Sequence, residues 1–274
     1  MITKKIAKHK RITQRRLRQK KTLKAISEIK NSALQLVLNA FISAKHKDFN
    51  QQDKIAFERC ETYRNKLLND HSIISYEVFG LNDTAKVSNI CAKAASKKTW
   101  CHFLYGIAKA LDHPTILEIG TNLGISGSYL LEATKSKNGF FMTMEGLPQL
   151  CDIASQQFKT ITATNNFQVV QGLYDDTFPK VIKQEHNYNL LFIDGNHKKE
   201  PTLNYFKSLK SHIKSPAIFV FDDIYWSKDM QDAWKLIKKD PAVNFTIDLY
   251  EQGIVIIDTA ETIKNKHFSL HLSY

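Results

Sequence analysis

The chain has 274 residues, of which 43% are hydrophobic and 11% aromatic, enough for one large domain, or a domain with an extension, around a sizeable core. No apolar run approaches the roughly 18 residues that a membrane span requires, and the N-terminus has no apolar stretch typical of a signal peptide. The four cysteines show no CxxC spacing, which favours buried, reduced thiols. We therefore expect a soluble, cytoplasmic protein.

The positive charge is concentrated at the N-terminus. The formal net charge is +12, and residues 1–30 contain twelve Lys and Arg against one acid, Glu28, which gives this segment +11. Its apolar residues keep no steady helical spacing, which predicts a solvated arm that can become helical on contact with an anionic surface. Two interpretations stay open: a partly disordered, solubilising extension, and a contact to a nucleic-acid backbone or anionic lipids.

Helical periodicity begins at the end of this arm. Two sets of apolar residues recur at helical spacing: Ile26, Ile29, Ala33, Val37 and Ala40, and then Ala56, Cys60, Tyr63 and Leu67. A further helical region spans residues 85–111 and ends before Pro114, which stops it. We place the boundary between a basic, helical extension (1–75) and the main domain (76–274) where periodicity breaks.

After Pro114 the pattern changes to alternating strands and helices. Strands are predicted over 115–119, 139–145, 167–172, 189–194 and 217–223, with helices over 126–134, 148–160, 178–184, 201–211 and 228–238. This alternation predicts a mostly parallel sheet covered on both faces. The stretch "NFTIDLYEQGIVIID" then predicts a hairpin whose last strand is antiparallel. The expected fold is α/β: a doubly wound, seven-stranded, Rossmann-like sheet closed by a C-terminal antiparallel hairpin.

The stretch "TILEIGTNLGISGSYLL", residues 115–131, ends a strand in a tight turn. Glu118 precedes Gly120 and Gly124, which let the backbone approach a ligand closely. N–H groups at the start of the following helix favour a carboxylate. Glu145 ends the next strand, where an acid can accept hydrogen bonds from both hydroxyls of a ribose. A phosphate-bearing cofactor fits worse, because the loop is not GxGxxG and no P-loop lysine follows.

This pattern resembles the class I S-adenosylmethionine-dependent methyltransferases over residues 76–270, and "EIGTNLG" looks like their first motif. The resemblance implies that the cofactor is S-adenosylmethionine (SAM). In such enzymes the loop after the third strand lies over the adenine. The cofactor-binding residues that the resemblance implies are Glu118, Gly120, Thr121, Gly124, Ser126, Glu145, Gly172, Leu173 and Asp194.

Acids also follow the next two strands, Asp194 in "LLFIDGNHKKEP" and Asp222 with Asp223 in "AIFVFDDIYW". Neighbouring strand ends in such sheets build sites together, and three carboxylates suit Mg²⁺. The arrangement is similar to the metal-dependent catechol- and caffeoyl-CoA-type and natural-product O-methyltransferases, which implies a divalent cation on Asp194, Asp222 and Asp223. His197 stands where the catechol-type enzymes carry a lysine base. His197 and Asp194 are therefore the catalytic candidates, since an imidazole takes a proton near neutral pH.

Three functions are compatible with these residues. The favoured one is SAM-dependent O-methylation of a hydroxyl on a small molecule, with assistance from Mg²⁺ or a similar divalent cation. The first alternative is an RNA or other nucleic-acid methyltransferase that uses the basic arm, although no N/D-P-P-F/Y/W or Pro-Cys motif occurs. The second is a cofactor-binding protein without catalysis. The plain interpretations also stay open: His197 as a loop residue without a role, and Asp222 without metal. The sequence leaves the acceptor and a homodimer undecided.

Overall fold

The computed structural model describes residues 2–273, and within its first helix the side chains of Ile6 and of Lys8 onward. Met1 and Tyr274, the outermost residues of the predicted arm and domain, lie outside the described residues. The helices are α1 (Ile2–Ser27), α2 (Ser32–His46), α3 (Gln51–Leu68), α4 (Val87–Ala94), α5 (Lys98–Ala110), α6 (Ile125–Thr134), α7 (Pro148–Lys159), α8 (Tyr174–Ile182), α9 (Lys199–Leu209) and α10 (Lys228–Lys238). The strands are β1 (Ile73–Ser75), β2 (Thr84–Lys86), β3 (Thr115–Ile119), β4 (Phe140–Glu145), β5 (Phe167–Gln171), β6 (Tyr188–Ile193), β7 (Ile213–Phe221), β8 (Phe245–Asp248), β9 (Gly253–Ile257) and β10 (Lys266–Ser269).

The central sheet confirms the predicted α/β architecture. Its strand order is β10-β8-β9-β7-β6-β3-β4-β5, so β3 lies between β6 and β4 and the chain crosses over to both sides of it. Of the sheet strands within residues 2–273, only β9 runs antiparallel to its neighbours, β7 and β8. The hairpin of β8 and β9 is the one predicted from "NFTIDLYEQGIVIID". Strands β1 and β2 form a small separate antiparallel pair.

The described part of the central sheet has eight strands where seven were predicted. The additional strand, β10, pairs in parallel with β8, so the outer edge lies beyond the hairpin. Strand β10 has four residues, and of these only Phe268 is buried. So short and polar a stretch has no two-residue apolar alternation, which is why the sequence did not indicate it.

Helix boundaries differ from the predictions most clearly in the two regions that follow. The single helical region expected over 85–111 is two helices, α4 and α5, because Ala95 and Lys97 take extended backbone conformations between them. The helix predicted over 178–184 is α8, which begins at Tyr174. Its first turn contains Asp175 and Asp176, where the helix dipole favours negative charge.

The basic arm is a docked helix, and the prediction of a solvated arm is wrong. Ile12 is 4% exposed and Ile26 is fully buried. Between them the buried Arg15 forms a salt bridge with Asp248, 2.7 Å from Nη2 to Oδ1. The periodicity was missed because an arginine occupies a contact position that apolar spacing alone would assign to a hydrophobic residue.

The core has two layers, one on each face of the central sheet. On one face the apolar sides of α2, α3, α5 and α6 share a continuous cluster with β4, β7 and β9. On the other face the sheet packs against α8, α9 and α10. The first layer contains residues of both the predicted extension (1–75) and the predicted main domain (76–274). The boundary between these two segments therefore stays a prediction. The cysteines are all buried and unpaired. Among the described helices none is long and apolar enough to cross a bilayer.

Candidate active site

The turn after β3 is shaped by its glycines. Gly120 has φ of +110°, and a Cβ at this position would lie 2.5 Å from the carbonyl oxygen of Asp194. Gly124 has φ of +72°, and a Cβ there would lie 2.9 Å from Cβ of Ala154. Both positions therefore require glycine, because the turn is pressed against the end of β6 and against α7.

Three of the predicted cofactor residues lie beneath this turn. Glu118 is fully buried and accepts hydrogen bonds from the Ser126 hydroxyl (2.5 Å) and the Thr143 hydroxyl (2.7 Å). The Thr121 hydroxyl lies 2.6 Å from that of Thr143. Burial raises the pKa of Glu118 to about 7. The structure thus places Glu118, Thr121 and Ser126 in a network that braces the turn.

A cavity of about 520 Å³ opens beside the turn and is large enough for a small organic ligand. Glu145, at the end of β4, lines it and is 7% exposed. Its Oε2 accepts a hydrogen bond from the Asn122 N–H (2.8 Å) and its Oε1 one from the Leu147 N–H (3.0 Å). Burial raises the pKa of Glu145, and the backbone hydrogen bonds oppose this shift. The two bonds fix the carboxylate while each oxygen keeps a lone pair for a ligand.

The other predicted cofactor residues fall on or near this cavity. Gly120 and Asp194 line it, and Leu173, which is 40% exposed, forms part of its wall. Gly172 is outside the lining; its φ is +135°, and a Cβ there would lie 2.8 Å from Cγ2 of Thr177. Its role is to turn the chain from β5 into α8.

Sequence reasoning missed several cavity residues: Phe79, Asn122, Tyr174 and Asn196. Asn122 lies inside the glycine motif with φ of +49°, a left-handed conformation that asparagine tolerates better than most residues, so a signal for it was present. Phe79 comes from a short loop far away in the sequence, and nothing local indicates its position.

The ends of β6 and β7 bring together Asp194, His197 and Asp222. Ile193 pairs with Phe221, so the next residue of each strand lies side by side. One potential ligand atom from each of these three residues, here called the metal triad, lies within 4.8 Å of the others. Nε2 of His197 is 3.3 Å from Oδ1 of Asp194. The third predicted ligand, Asp223, is not in this group; its φ is +53°, and its carboxylate lines the neighbouring cavity.

The chemistry of the metal triad fits a divalent cation. Burial, and then the neighbouring carboxylates, raise the pKa of Asp222 well above its usual value, and burial does the same for Asp194. Within the described chain, no Lys or Arg forms a salt bridge with either carboxylate, and Nε2 of His197 is buried without a hydrogen-bond partner. Asp194 and Asp222 are partly buried, and neighbouring carboxylates in such a setting are stabilised by a cation or a proton. Two carboxylates with an imidazole suit Mn²⁺ as well as Mg²⁺.

A second cavity, of about 600 Å³, opens on the other side of the metal triad. Asp194 and His197 line both cavities, so the two meet at these residues. The residues that define this acceptor cavity come from distant parts of the chain: Lys8, Lys93, Lys97, Trp100, Tyr225, Trp226, Tyr250 and Glu251. Glu251 is held by the Trp100 indole (2.9 Å) and the Lys97 ammonium (3.2 Å). Helix α1 therefore contributes directly to the wall of the acceptor cavity.

Comparison with known proteins agrees with this architecture. A family model described as "Methyltransferase domain" matches residues 117–224. The uncharacterized protein R132 of Acanthamoeba polyphaga mimivirus is 31% identical over 153 residues, which span 51% of this chain and 66% of that protein. The chain therefore matches just under two thirds of this relative's length.

Solved structures of methyltransferases are similar over most of their length. The O-methyltransferase from Bacillus cereus in complex with SAH has a TM-score of 0.53 at 21% identity, over 66% of this chain and 89% of that one. TomG from Streptomyces achromogenes, an O-methyltransferase involved in tomaymycin synthesis and solved with SAM, has 0.52 at 15% identity, over 77% and 91%. SAH-bound PaMTH1 from Podospora anserina has 0.52 at 18% identity, over 77% and 96%. Residues 117–224 thus match a methyltransferase-domain family model, and the chain shares its fold with these solved methyltransferases.

Proposed function

We propose that the protein is a SAM-dependent O-methyltransferase that methylates a hydroxyl of a small molecule with the assistance of a divalent metal ion. The observation that carries this proposal is the meeting of two cavities at Asp194 and His197. One cavity offers a fixed carboxylate, Glu145, and the other is lined by Asp222 and Asp223. A methyl donor and an acceptor in these cavities would face each other across the metal triad.

The chain's own residues account for binding and orientation of the cofactor. Glu145 accepts hydrogen bonds from the ribose hydroxyls with the lone pairs that Asn122 and Leu147 leave open. Leu173 offers an apolar surface to the adenine. Gly120 keeps the turn free of a side chain at the place where the donor passes toward the second cavity. Most of the rate enhancement in a direct methyl transfer comes from such positioning.

The metal triad would hold the metal ion. When bound, such an ion holds acceptor oxygens and lowers the pKa of the reacting hydroxyl. A ring nitrogen that binds the metal ion cannot also accept the proton of the acceptor hydroxyl. Because one ring nitrogen of His197 lies within the triad, we assign His197 to the metal set in place of Asp223.

The test is methyl transfer to a series of vicinal diols with Mg²⁺ or Mn²⁺, with and without EDTA. We expect Asp222→Asn to abolish metal-dependent turnover, because one of two charged ligands is lost, while SAM still binds. Asp229→Asn, on the exposed first turn of α10, is the matched control and should keep wild-type activity. Turnover that is changed neither by EDTA nor by Asp222→Asn would refute the metal part of the proposal.

A second acceptor class, nucleic acid, is favoured by one observation. Lys8, Lys93 and Lys97 line the acceptor cavity, and Glu251 in the same lining forms salt bridges with Lys8 and Lys97. The cavity therefore offers cations as well as acids to an acceptor. The same assay with RNA as acceptor distinguishes the two classes. The interpretation as a protein without catalysis is not favoured, because nothing in cofactor binding alone requires the metal triad.

A further inference from the structure

A basic groove runs between α1 and the outer edge of the sheet. Its volume is about 830 Å³, and it begins where the acceptor cavity ends. Its charged residues are Arg11, Arg15, Arg18, Lys21, Lys238 and Asp248. Five cations thus face one carboxylate in a confined space.

The single carboxylate is fully engaged. Asp248 forms the salt bridge with Arg15 and accepts hydrogen bonds from the Tyr225 hydroxyl (2.8 Å) and the Trp234 indole (3.3 Å). The remaining four cations are Arg11, Arg18, Lys21 and Lys238. No carboxylate in the described chain lies within salt-bridge distance of them. Clustered charges of one sign that the protein leaves uncompensated attract an anion.

The groove is long, and three exposed cations of α1 follow one another along it. Arg11, Arg18 and Lys21 lie on one side of α1, and ten residues of helix span about 15 Å. A single phosphate would occupy only one end of this row, so the geometry favours a linear ligand with several charges. The buried Ile12 and Ile26 hold α1 in place, so the backbone that carries these cations is already ordered before a ligand binds.

An aromatic pair stands where the groove meets the acceptor cavity. The Tyr225 ring stacks on that of Tyr250 with centroids 4.7 Å apart and an interplanar angle of 3°. The guanidinium of Arg11 lies 4.9 Å from the Tyr225 centroid. Tyr225 lines both the groove and the acceptor cavity. A cationic track beside aromatic rings is found in proteins that bind single-stranded nucleic acid, where phosphates follow the charges. Here Tyr250 and Arg11 already contact the Tyr225 ring, so the track of cations carries the inference.

We propose that the basic groove binds the phosphate backbone of a single-stranded nucleic acid. A flat bilayer would instead contact the outer side of α1, where Lys20 and Lys24 are exposed and line no part of the groove. This proposal goes beyond the proposed function and does not depend on it, because binding requires neither cofactor nor metal.

The experiment compares two double variants of the full chain that remove the same charge from the same helix. Binding of a fluorescent single-stranded RNA of about 12 nucleotides is measured by anisotropy between about 50 and 300 mM salt, without SAM or metal. We expect Arg18→Ala/Lys21→Ala to weaken binding about tenfold or more and to reduce the salt slope by roughly 1.4, since each lost phosphate contact on a single strand removes about 0.7. Lys20→Ala/Lys24→Ala should remain within about threefold of wild type.

Other results would overturn the proposal. Equal weakening of RNA binding by both double variants would mean that binding depends on the overall charge of α1 and not on the groove. Absence of RNA binding, together with binding to anionic phosphatidylserine vesicles that is lost in Lys20→Ala/Lys24→Ala, would assign α1 to a membrane surface. Displacement of RNA by millimolar inorganic phosphate would indicate a site for a single anion. Circular dichroism of both variants controls for folding, and a failure of methyl transfer would leave the binding result intact.

Discussion

Glu145 is the residue on which the cofactor assignment depends most directly. Two backbone N–H groups orient its carboxylate into the cavity beside the glycine turn. We expect Glu145→Ala to weaken SAM binding by roughly tenfold to a hundredfold or more, because a single hydrogen bond to a charged group already contributes about 1.5–3 kcal/mol. Calorimetry on wild type and variant measures this, with Glu200→Ala, on the exposed start of α9, as control. Equal affinities would mean that the cavity serves another ligand.

Glu118 gives the molecule a stability that depends on pH. Its pKa is raised to about 7 in the fold from 4.5 in the unfolded chain, because the carboxyl is buried. The folded state therefore holds a proton that the unfolded state loses. The resulting contribution to the free energy of unfolding is fully present below about pH 4.5 and disappears as the pH rises through 7. A shift of this size corresponds to roughly 3 kcal/mol.

We expect Glu118→Gln to be more stable than wild type at pH 8 and to be similar to it at pH 4. The glutamine amide can still meet the hydroxyls of Ser126 and Thr143. Urea unfolding at a series of pH values measures the difference. A variant that keeps the wild-type slope between pH 5 and 7.5 would show that another group is responsible.

At the scale of elements, α1 is the part that periodicity did not reveal. Its attachment depends on the buried pair of Arg15 and Asp248, with Arg15 also 5.5 Å from the ring centroid of Tyr250. Removing one partner of such a pair costs about 3–5 kcal/mol, because the other charge stays buried. Apolar spacing predicts helices whose contacts are hydrophobic; a helix that docks through an arginine falls outside that rule.

We expect Arg15→Ala to release the N-terminal half of α1 while the sheet stays folded. Hydrogen exchange should accelerate for the amides of α1 and remain slow for β3 and β6. Lys20→Ala, exposed on the same helix, should leave the exchange unchanged. Uniform acceleration throughout the sheet would instead show that α1 is part of the cooperative folding unit.

For the whole molecule, two buried histidines lower the free energy of unfolding at acid pH, where Glu118 raises it. Burial lowers the pKa of His102 and of His271 to about 4. Both are neutral in the fold and charged in the unfolded chain below about pH 6.5, so their contribution is complete above that pH and is lost as the pH falls toward 4. His102 stacks on Phe57 with centroids 3.9 Å apart, and its Nε2 has no hydrogen-bond partner.

We expect His102→Phe to flatten the loss of unfolding free energy between pH 6.5 and 4 by an amount on the order of 1 kcal/mol or more. Chemical denaturation at pH 7.5, 6 and 5 measures this, with the exposed His71→Phe as control. An unchanged acid slope in His102→Phe would remove this histidine as its source.

The sequence by itself determined the parts of this protein that follow from local pattern. The alternation of strands and helices after Pro114, the hairpin from residue 244 and the acids after β6 and β7 depend on neighbouring residues, and the structure contains them. Tertiary structure alone decided that His197, and not Asp223, comes close to Asp194 and Asp222, because backbone conformation at the strand ends aims these side chains. It also decided that the basic arm walls the acceptor cavity, since Arg15 meets Asp248 across 233 residues. Contacts between residues so distant leave no periodic trace in the chain.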